Sequence, residues 1–253
     1  MFQPNDFKKR LDKRILVHNS KLVIIPTYNE EQSIGVLLNQ LAPYPFDILI
    51  VDDGSSDLTI EQAKASQVTG DKLNLLLRNE KLGLGNAYRA GYAWALEHGY
   101  ERIIQMDADG SHQVSDLLRM LEFSDTHPEI ELIIGSRWVK GGKVLNWNKG
   151  RELLSRVANR YTQALIKLNV KDSTAGFRIY KVSLLSRMDI QGVRSDGYCY
   201  QIEMTREARD AGASVAEIPI TFKEREFGTS KMSFKIAIEA MARVTFWGIS
   251  KAK

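Results

Sequence analysis

Two aspartates separated by one residue, Asp107 and Asp109, follow directly on the apolar run at residues 103–106. A short apolar run is typical of a buried strand, so we expect these carboxylates where a strand ends and a loop begins. In an open α/β sheet, ligands bind in the crevice beyond the carboxyl ends of the strands. Paired carboxylates there could hold a divalent cation against substrate phosphates, although aspartates after strands are also common as solvated loop residues.

A second acidic pair, Asp52 and Asp53, follows the apolar run at residues 48–51 and precedes the turn-forming Gly-Ser-Ser at 54–56. Two strand ends of this kind predict a single electronegative crevice. The second pair could instead hydrogen-bond a ribose or a base and make no contact with metal. Asp57 is the candidate cap of the next helix, which would explain one acidic residue without explaining the two before it.

The first apolar run, at residues 22–25, is followed by Pro26 and Tyr28. We expect Pro26 to stop this strand, and the two residues could also form one wall of a nucleotide pocket. The glycine-containing segment at residues 81–86 fits neither the Rossmann nor the P-loop spacing. Those two nucleotide-binding classes are therefore rejected, and the glycines are interpreted as a tight loop into a helix.

Four basic residues could converge on a phosphate, because one follows a predicted strand end and the others lie in or beside glycine-containing loops. Arginine makes bidentate contacts with phosphate, and mobile loops could close over a substrate and exclude water. For any one of them, a solvated surface charge is the alternative. The four are Arg137, Arg151, Arg225 and Lys231.

His112 lies just past the first aspartate pair, but we do not favour it as a metal ligand or base, because the four histidines show no metal-type spacing. Cys199 is the only cysteine, which excludes an internal disulfide and a cysteine zinc cluster. Its aromatic neighbours favour a small buried side chain over a nucleophile. A reducing compartment is the simpler interpretation.

The 253 residues can bury a sizeable core, and their formal net charge of +4 is mildly basic. This charge suits anionic substrates or an anionic membrane surface. A nucleic-acid partner is disfavoured, because there is no dense stripe of Lys and Arg and no nucleic-acid motif. We recognise no secretory signal and no apolar stretch long enough to span a membrane, so we expect a cytoplasmic protein.

Strand-loop-helix units repeat along the first half of the chain and predict an α/β fold with a mostly parallel sheet and helices on both faces. No linker divides the chain. The predicted strands lie at 22–25, 48–51, 73–77, 103–106 and 132–134, and the helices between them at 34–41, 58–65, 85–97 and 116–123.

After Arg137 the pattern changes to a loop through residue 149 that is a lid candidate. Two helices, at 152–167 and 201–210, and further elements at 175–180 and 214–218 complete this half of the chain. Near the C-terminus, residues 234–247 form a mostly apolar helical stripe. This helix either packs on the domain or lies in a membrane interface, where Phe246 and Trp247 could anchor it.

Four segments lie in order at residues 25–30, 51–55, 107–109 and 135–137, and four more lie at 146–151, 172–178, 197–201 and 224–233. The first four resemble glycosyltransferase family 2, the inverting enzymes of GT-A type. The last four resemble, within that family, the polyprenol (dolichol) phosphate mannosyltransferases. The resemblance runs from about residue 21 to the C-terminus. It implies a Rossmann-like GT-A domain at residues 21–232, a polar N-terminal extension at 1–20 and an amphipathic helix at 233–253.

The resemblance also implies roles for individual residues. The nucleotide pocket corresponds to Pro26, Tyr28, Glu30, Asp52 and Asp53, with Asp107 beside it, and the metal motif corresponds to Asp107 and Asp109. The acceptor phosphate corresponds to Arg137, Arg151, Arg225 and Lys231, with Asp109 and Arg225 as the catalytic candidates.

One position departs from the family pattern. Relatives often carry Gln two residues past the second aspartate and prolines after the histidine, whereas this chain has Ser111, Gln113 and Val114. The resemblance therefore does not identify a third protein ligand of the metal.

The implied reaction transfers mannose from GDP-mannose to a polyprenyl phosphate lipid, with Mg²⁺ or Mn²⁺ as cofactor. The lipid implies peripheral contact with the cytoplasmic face of a membrane, where a membrane-embedded partner protein is conceivable. Two alternatives stay open: a transferase that uses UDP-glucose or another UDP-sugar, and an inactive GT-A domain that serves as a scaffold subunit.

Overall fold

The computed structural model describes residues 20–68, 70–195, 197–224 and 243–247. The predicted N-terminal extension lies outside these ranges except for Ser20, and so does most of the predicted C-terminal helix. Arg225 and Lys231 also fall outside the described residues.

The described elements alternate between strand and helix through most of the chain. In order they are β1 (Lys21–Thr27), α1 (Ile34–Leu41), β2 (Asp47–Asp52), α2 (Thr59–Lys64), β3 (Leu73–Leu77), α3 (Leu84–Glu97), β4 (Arg102–Gln105), α4 (Val114–Thr126), β5 (Leu132–Ser136), β6 (Lys143–Leu145), α5 (Lys149–Ile166), β7 (Arg178–Lys181), α6 (Val182–Leu185), α7 (Gly197–Asp210), β8 (Val215–Pro219) and β9 (Thr221–Lys223).

Seven strands form one sheet in the order β3-β2-β1-β4-β7-β5-β8. All neighbouring pairs are parallel except those of β7, which is antiparallel to both β4 and β5. The carboxyl ends of β1, β2 and β4 therefore lie at the same edge of the sheet. This is the edge at which the sequence places its acidic pairs.

Both faces of the sheet are buried, which explains the near-continuous apolar strands. In β1, Leu22 and Ile24 pack into the cluster that contains Tyr88 of α3, whereas Val23 and Ile25 pack into the cluster that contains Leu38 of α1. Successive residues of a strand point to opposite faces, so a strand covered on both faces needs an apolar residue at every position.

The expectation that Pro26 stops the first strand is wrong, because β1 continues to Thr27. Pairing of β4 with β1 ends at Ile24, while β2 pairs with β1 as far as Thr27. The carbonyl of Ile24 points towards β4 and accepts from Met106 N. Backbone groups two residues apart in a strand point to the same side, so the backbone nitrogen of Pro26 also points towards β4. Its missing N–H falls beyond the end of the β1–β4 pairing, where none of the described strands lies opposite, and proline is tolerated there.

The predicted loop at residues 137–149 contains a three-residue strand. β6 pairs in parallel with β9 to form a separate two-stranded sheet. Ile220 O accepts from Lys143 N at 3.0 Å, and Glu224 N donates to Leu145 O at 3.2 Å. This small sheet ties the lid candidate to the segment that leads towards residue 225.

Residues 243–247 pack against α5 and α7. Val244 is 1% exposed and belongs to a cluster with Ile166 and Ile202. The Trp247 ring lies 4.8 Å from the guanidinium carbon of Arg206, whereas Phe246 is 68% exposed. Within the ranges that the structure describes, no helix combines the length and the apolarity needed to cross a membrane.

We predict that Gly91→Ala destabilises the fold. A Cβ at this position of α3 would lie 2.7 Å from Ile24 Cγ2 and 3.1 Å from Ile24 Cδ1, within the packed layer between α3 and the sheet. Overpacking of this kind costs about 1–3 kcal/mol of the free energy of unfolding, which chemical denaturation would measure.

Gly35 of α1 is the matched control, because the nearest atom of the described residues to a Cβ there, Gln62 Oε1, would lie 3.6 Å away. Gly35→Ala should be neutral or stabilise by up to about 1 kcal/mol, since alanine loses less conformational entropy in a helix. Equal effects of the two substitutions would contradict the packing described for Gly91.

Candidate active site

Asp52, at the end of β2, is buried and accepts hydrogen bonds from its own chain. Its Oδ1 accepts from Gly54 N at 3.1 Å and Ser55 N at 2.8 Å, and its Oδ2 accepts from the hydroxyls of Thr27 at 2.8 Å and Ser55 at 2.6 Å. The carboxylate thus shapes the turn after β2 and joins it to the end of β1.

Asp53 anchors the loop between β3 and α3. Arg78 Nη1 donates to its Oδ1 at 2.8 Å, while Leu82 N and Gly83 N donate to its Oδ2 at 3.2 and 3.1 Å. The glycine-containing segment that sequence analysis interpreted as a tight loop is therefore tied to the acidic pair. The prediction that Asp57 is the N-cap of the next helix is wrong by one residue, because Leu58 is the N-cap of α2. Asp57 Oδ1 still accepts from Thr59 N, the first helical residue, at 3.0 Å.

The anchored loop brings Lys81 to Tyr28. The Lys81 ammonium lies 3.7 Å from the centre of the Tyr28 ring, a cation–π contact. Glu30, on the same side, accepts from the Ser33 hydroxyl through Oε2 at 3.0 Å. Pro26, Glu30 and Lys81 form one end of a cleft.

Asp107 and Asp109 line the cleft from the loop after β4. The Tyr88 hydroxyl donates to Asp107 Oδ1 at 2.9 Å, and Ser111 N donates to Asp109 Oδ1 at 3.1 Å. Burial, reinforced by the charge of Asp107, raises the pKa of Tyr88 well above its usual value. Tyr88 therefore stays protonated and can keep its hydrogen bond to the carboxylate.

His112 is a buried, neutral member of the wall. Its Nδ1 accepts from Asp107 N at 3.1 Å, so its ring proton is assigned to Nε2. The ring stacks on Phe177 with centroids 4.6 Å apart. Burial lowers the pKa of His112, although the charges of Asp107 and Asp109 act in the opposite direction.

Arg137, at the end of β5, is held by a buried ion pair. Its Nε and Nη2 donate to Asp172 Oδ2 and Oδ1 at 2.8 and 2.7 Å, and its backbone N donates to Oδ2 at 2.9 Å. Nη2 also donates to the Thr174 hydroxyl at 2.8 Å. The side chains of Arg137 and Asp172 are 5% and 0% exposed, so this pair is part of the interior.

Arg151, in the first turn of α5, lies at the same end of the cleft. Its Nη1 donates to Glu224 Oε1 at 2.6 Å, and its guanidinium carbon is 4.0 Å from the centre of the Trp147 ring. The ring of Phe222 contacts Trp147 edge-on, with centroids 5.5 Å apart. The short sheet of β6 and β9 thus supports a basic and aromatic wall.

Together these groups enclose a cleft of about 390 Å³. The predicted residues Pro26, Glu30, Asp107, Asp109, Arg137 and Arg151 line it, whereas Asp52, Asp53 and Tyr28 are not among its lining residues. The other lining residues form a second group with no site role predicted from the sequence, and among them only His112 had been considered as a ligand or base and not favoured. They are Lys81, Gly83, Leu84, Ala108, His112, Trp147, Thr174, Ala175, Gly176, Gly197, Gln201, Ile220, Phe222 and Glu224.

Part of this second group carried a sequence signal. Trp147, residues 174–176 and Gln201 lie within segments that carried the resemblance, without any role assigned to them. Asp172 lies in one of the same segments and positions Arg137 from behind the wall. Lys81 and Tyr88 carried no usable signal, because their partners Tyr28 and Asp107 are distant in sequence.

The donor set of Asp107 and Asp109 fits a divalent cation. Among the described residues, no group of three His, Cys, Asp or Glu side chains could hold a metal. Mg²⁺ in phosphate-binding sites is commonly held by one or two carboxylates together with substrate phosphates and water. Two carboxylates on the wall of a cleft meet that requirement without a third acidic ligand.

The sequence model of Glycosyl transferase family 2 matches residues 22–188. Polyprenol monophosphomannose synthase of Mycolicibacterium smegmatis is 45% identical over 231 residues, which cover 90% of this chain and 86% of the relative. Undecaprenyl-phosphate mannosyltransferase of Micrococcus luteus is 43% identical over 231 residues, which cover 90% of this chain and 94% of the relative.

Among solved structures, glucosyl-3-phosphoglycerate synthase from Mycobacterium tuberculosis, in complex with Mn²⁺, UDP and glucosyl-3-phosphoglycerate, superposes with a TM-score of 0.61. The match covers 99% of this chain and 85% of that chain at 17% identity. At that identity the likeness concerns the fold, and it confirms the predicted GT-A type α/β architecture with its mostly parallel sheet.

We predict that Asp172→Asn destabilises the protein strongly, because it leaves the Arg137 guanidinium buried without its counter-charge. Breaking one side of a buried ion pair costs about 3–5 kcal/mol of the free energy of unfolding, which urea denaturation would measure. The exposed pair Arg187–Glu131, with side chains 46% and 19% exposed, is the control.

Glu131→Gln should cost only about 0–1 kcal/mol, as is usual for exposed pairs. A loss for Asp172→Asn as small as the loss for Glu131→Gln would contradict the structural role given to the buried pair.

Proposed function

The chain belongs to glycosyltransferase family 2, in its group of polyprenyl-phosphate mannosyltransferases, and on that premise we propose that it transfers mannose from GDP-mannose to a polyprenyl phosphate, with inversion at the anomeric carbon. The products are polyprenyl-phosphate mannose and GDP. The observation that carries the proposal is the identity of 45% and 43% with two relatives whose names describe mannose transfer to polyprenyl-type lipids. The cleft then has to accommodate a nucleotide, a cation and a second phosphate.

The end of the cleft formed by Pro26, Glu30 and Lys81 suits the guanine base. Guanine offers two adjacent donors, N1–H and N2–H, and the acceptor O6. A carboxylate accepts two donors at once and an ammonium donates, so Glu30 and Lys81 together complement that edge. The resemblance also assigns Tyr28, Asp52 and Asp53 to the nucleotide, and their hydrogen bonds and ring contacts hold the loops of this end.

Asp107 and Asp109 would hold Mg²⁺ or Mn²⁺ against the diphosphate. When bound, the cation would neutralise the negative charge that develops on the departing GDP. Tyr88 orients Asp107 through its hydrogen bond to Oδ1. A structural neighbour, glucosyl-3-phosphoglycerate synthase, was solved in complex with Mn²⁺ and UDP, which supports the binding of a cation together with a nucleotide in this fold.

The basic and aromatic end suits the acceptor phosphate. Within the described ranges, Arg151 Nε and Trp147 Nε1 are buried donors without an acceptor. Burying an unpaired donor is costly, so both atoms favour an anionic oxygen in this part of the cleft. Arg137 adds a guanidinium that Asp172 orients, and Arg225 and Lys231, which lie outside the described residues, stay candidates for the same phosphate.

The acceptor needs no strong general base. The second pKa of a phosphate monoester is about 6, so the attacking oxygen is largely ionised near neutral pH. His112 is unsuited to this task, because its Nδ1 accepts from Asp107 N and burial lowers its pKa. The residues of the cleft instead bring two anions together, orient them and support the leaving group.

We expect purified protein with GDP-mannose, Mn²⁺ and a polyprenyl phosphate to form a mannolipid, measured by transfer of radiolabelled mannose into lipid. Asp109→Ala should lower kcat/KM by about 100-fold or more, because Lewis-acid stabilisation is worth several kcal/mol and about 1.4 kcal/mol corresponds to tenfold. Asp125→Ala, in a carboxylate that is 53% exposed and pairs with Lys21, is the control and should keep normal activity.

Transfer that persists undiminished in excess chelator would contradict the role of the cation. Competition between GDP-mannose and UDP-glucose tests the donor, and preferential use of UDP-glucose would reject GDP-mannose. Binding of nucleotide without any turnover would favour the scaffold alternative.

The outer face of α5 supports peripheral contact with a membrane. Its buried residues include the polar Ser155, Asn159 and Thr162, whereas Leu153 and Val157 are 63% and 50% exposed. The first part of α5 therefore differs from the usual surface helix, which turns its apolar stripe to the core, whereas its last turn buries Ile166 in the usual way. The exposed Arg156 and Arg160 of the same helix would favour anionic lipid.

We predict that the double variant Leu153→Glu/Val157→Glu weakens binding to vesicles that contain anionic lipid. Burial of a Leu or Val side chain is worth about 1.5–3 kcal/mol, so the partition coefficient should fall by at least tenfold in a flotation assay. Val36→Glu is the control, because Val36 is 60% exposed on α1. Equal flotation of both variants would show that another surface makes the contact.

A further inference from the structure

The proposed reaction restricts where the transferred hexose can lie. Its anomeric carbon is bonded to the diphosphate before transfer and to the acceptor phosphate afterwards. The hexose must therefore lie between Asp107 and Asp109 on one side and Arg137 and Arg151 on the other. Residues 174–176 and Gln201 also line the cleft, and they contact both groups through Arg137 and Asp107.

The loop at residues 174–176 connects the two charged ends. The Thr174 hydroxyl accepts from Arg137 Nη2 at 2.8 Å. At Gly176, a Cβ would lie 3.4 Å from Asp107 Oδ2, 3.6 Å from Gln201 Nε2 and 3.8 Å from His112 Cε1. Side chains from two other parts of the chain thus converge beside Gly176, and Gln201 brings its amide there from α7.

The Gln201 side chain is buried with an unpaired polar atom. Gln201 is 3% exposed, and Oε1 accepts from no group in the described part of the chain. Buried carbonyl oxygens are nearly always hydrogen-bonded, because an unpaired one keeps the full cost of desolvation. Since this oxygen belongs to a residue that lines the cleft, a donor supplied by the substrate would satisfy it.

Gln201 Oε1 needs a hydrogen-bond donor, and this requirement identifies the part of the substrate that it can contact. Phosphate oxygens near neutral pH offer mainly acceptors, so they cannot satisfy Oε1. Sugar hydroxyls both donate and accept, as a carboxamide does. We propose that Gln201 binds a hydroxyl of the transferred hexose and thereby contributes to the choice of sugar. This inference rests on the proposed function, because it requires a nucleotide-sugar donor in the cleft.

The test compares GDP-mannose with GDP as ligands of the full-length protein in the presence of Mn²⁺, by calorimetry. For Gln201→Leu, we expect the Kd of GDP-mannose to rise about 3- to 10-fold, as for the loss of one hydrogen bond, and the Kd of GDP to stay unchanged. The melting temperature of the free protein should stay the same or rise, because the substitution removes an unpaired buried oxygen.

Gln105→Met is the matched control. Gln105 is also buried, and its amide Nε2 likewise has no partner among the described residues, but it lies on β4 and does not line the cleft. Its Oε1 accepts from the Tyr92 hydroxyl at 2.7 Å. We expect this variant to melt at a lower temperature, because the Tyr92 hydroxyl loses its acceptor, while both Kd values stay unchanged.

Deoxy analogues of GDP-mannose identify the hydroxyl. The analogue that lacks the partner hydroxyl should bind the wild-type protein about 3- to 10-fold more weakly than GDP-mannose does, and Gln201→Leu should bind the two equally. Such coupling cannot arise from a purely structural role of the glutamine.

Three outcomes would overturn the inference. Equal weakening of GDP and GDP-mannose would assign Gln201 to the diphosphate or the cation. Unchanged Kd values with a lower melting temperature would make it a structural residue, and unchanged Kd values without destabilisation would remove any role in binding. A failure of the proposed function would be seen separately, since the wild-type protein itself would then neither bind nor use GDP-mannose.

Discussion

The parallel pairing of β1 with β2 and β4 is the constraint on which the candidate site depends. Parallel strands end at the same edge, so the loops that follow β1, β2 and β4 emerge side by side. Segments that are about 25 and 80 residues apart in sequence thereby meet, as in the bond from Thr27 to Asp52. Helices α1, α3, α4 and α7 bury both faces of the sheet. This burial fixes the register of each strand, because a shift of one residue would turn the side chains of that strand to the opposite face.

The charged residues of the edge divide between two tasks. Asp52, Asp53 and Asp172 are buried and hold loops through hydrogen bonds to their own chain. Asp107 and Asp109 line the cleft instead. Each of these three buried carboxylates has backbone or guanidinium donors. The site can therefore gather acidic and basic residues without leaving the buried ones unpaired.

The proposed reaction brings a nucleotide sugar and a lipid phosphate together, which makes particular demands on such a site. Two anions repel each other, so the protein has to supply positive charge at both ends of the cleft and a neutral polar surface between them. The basic and aromatic wall around Trp147 lies at one end and Lys81 at the other. The neutral His112, Thr174 and Gln201 lie along the cleft wall with them, where a sugar can be oriented without altering the charge balance.

The sequence by itself determined the α/β class, the positions of the main strands and helices, and the two acidic pairs at strand ends, because apolar periodicity and turn residues are local signals. It could not determine the antiparallel insertion of β7 between β4 and β5, or the pairing of β6 with β9. Only the tertiary structure decided which motif residues face the cleft: Asp52 and Asp53 hold loops, while Trp147 and Gln201 line the wall. The physical reason is that a side chain's role depends on partners distant in sequence, and those partners are fixed by the packing of strands and loops.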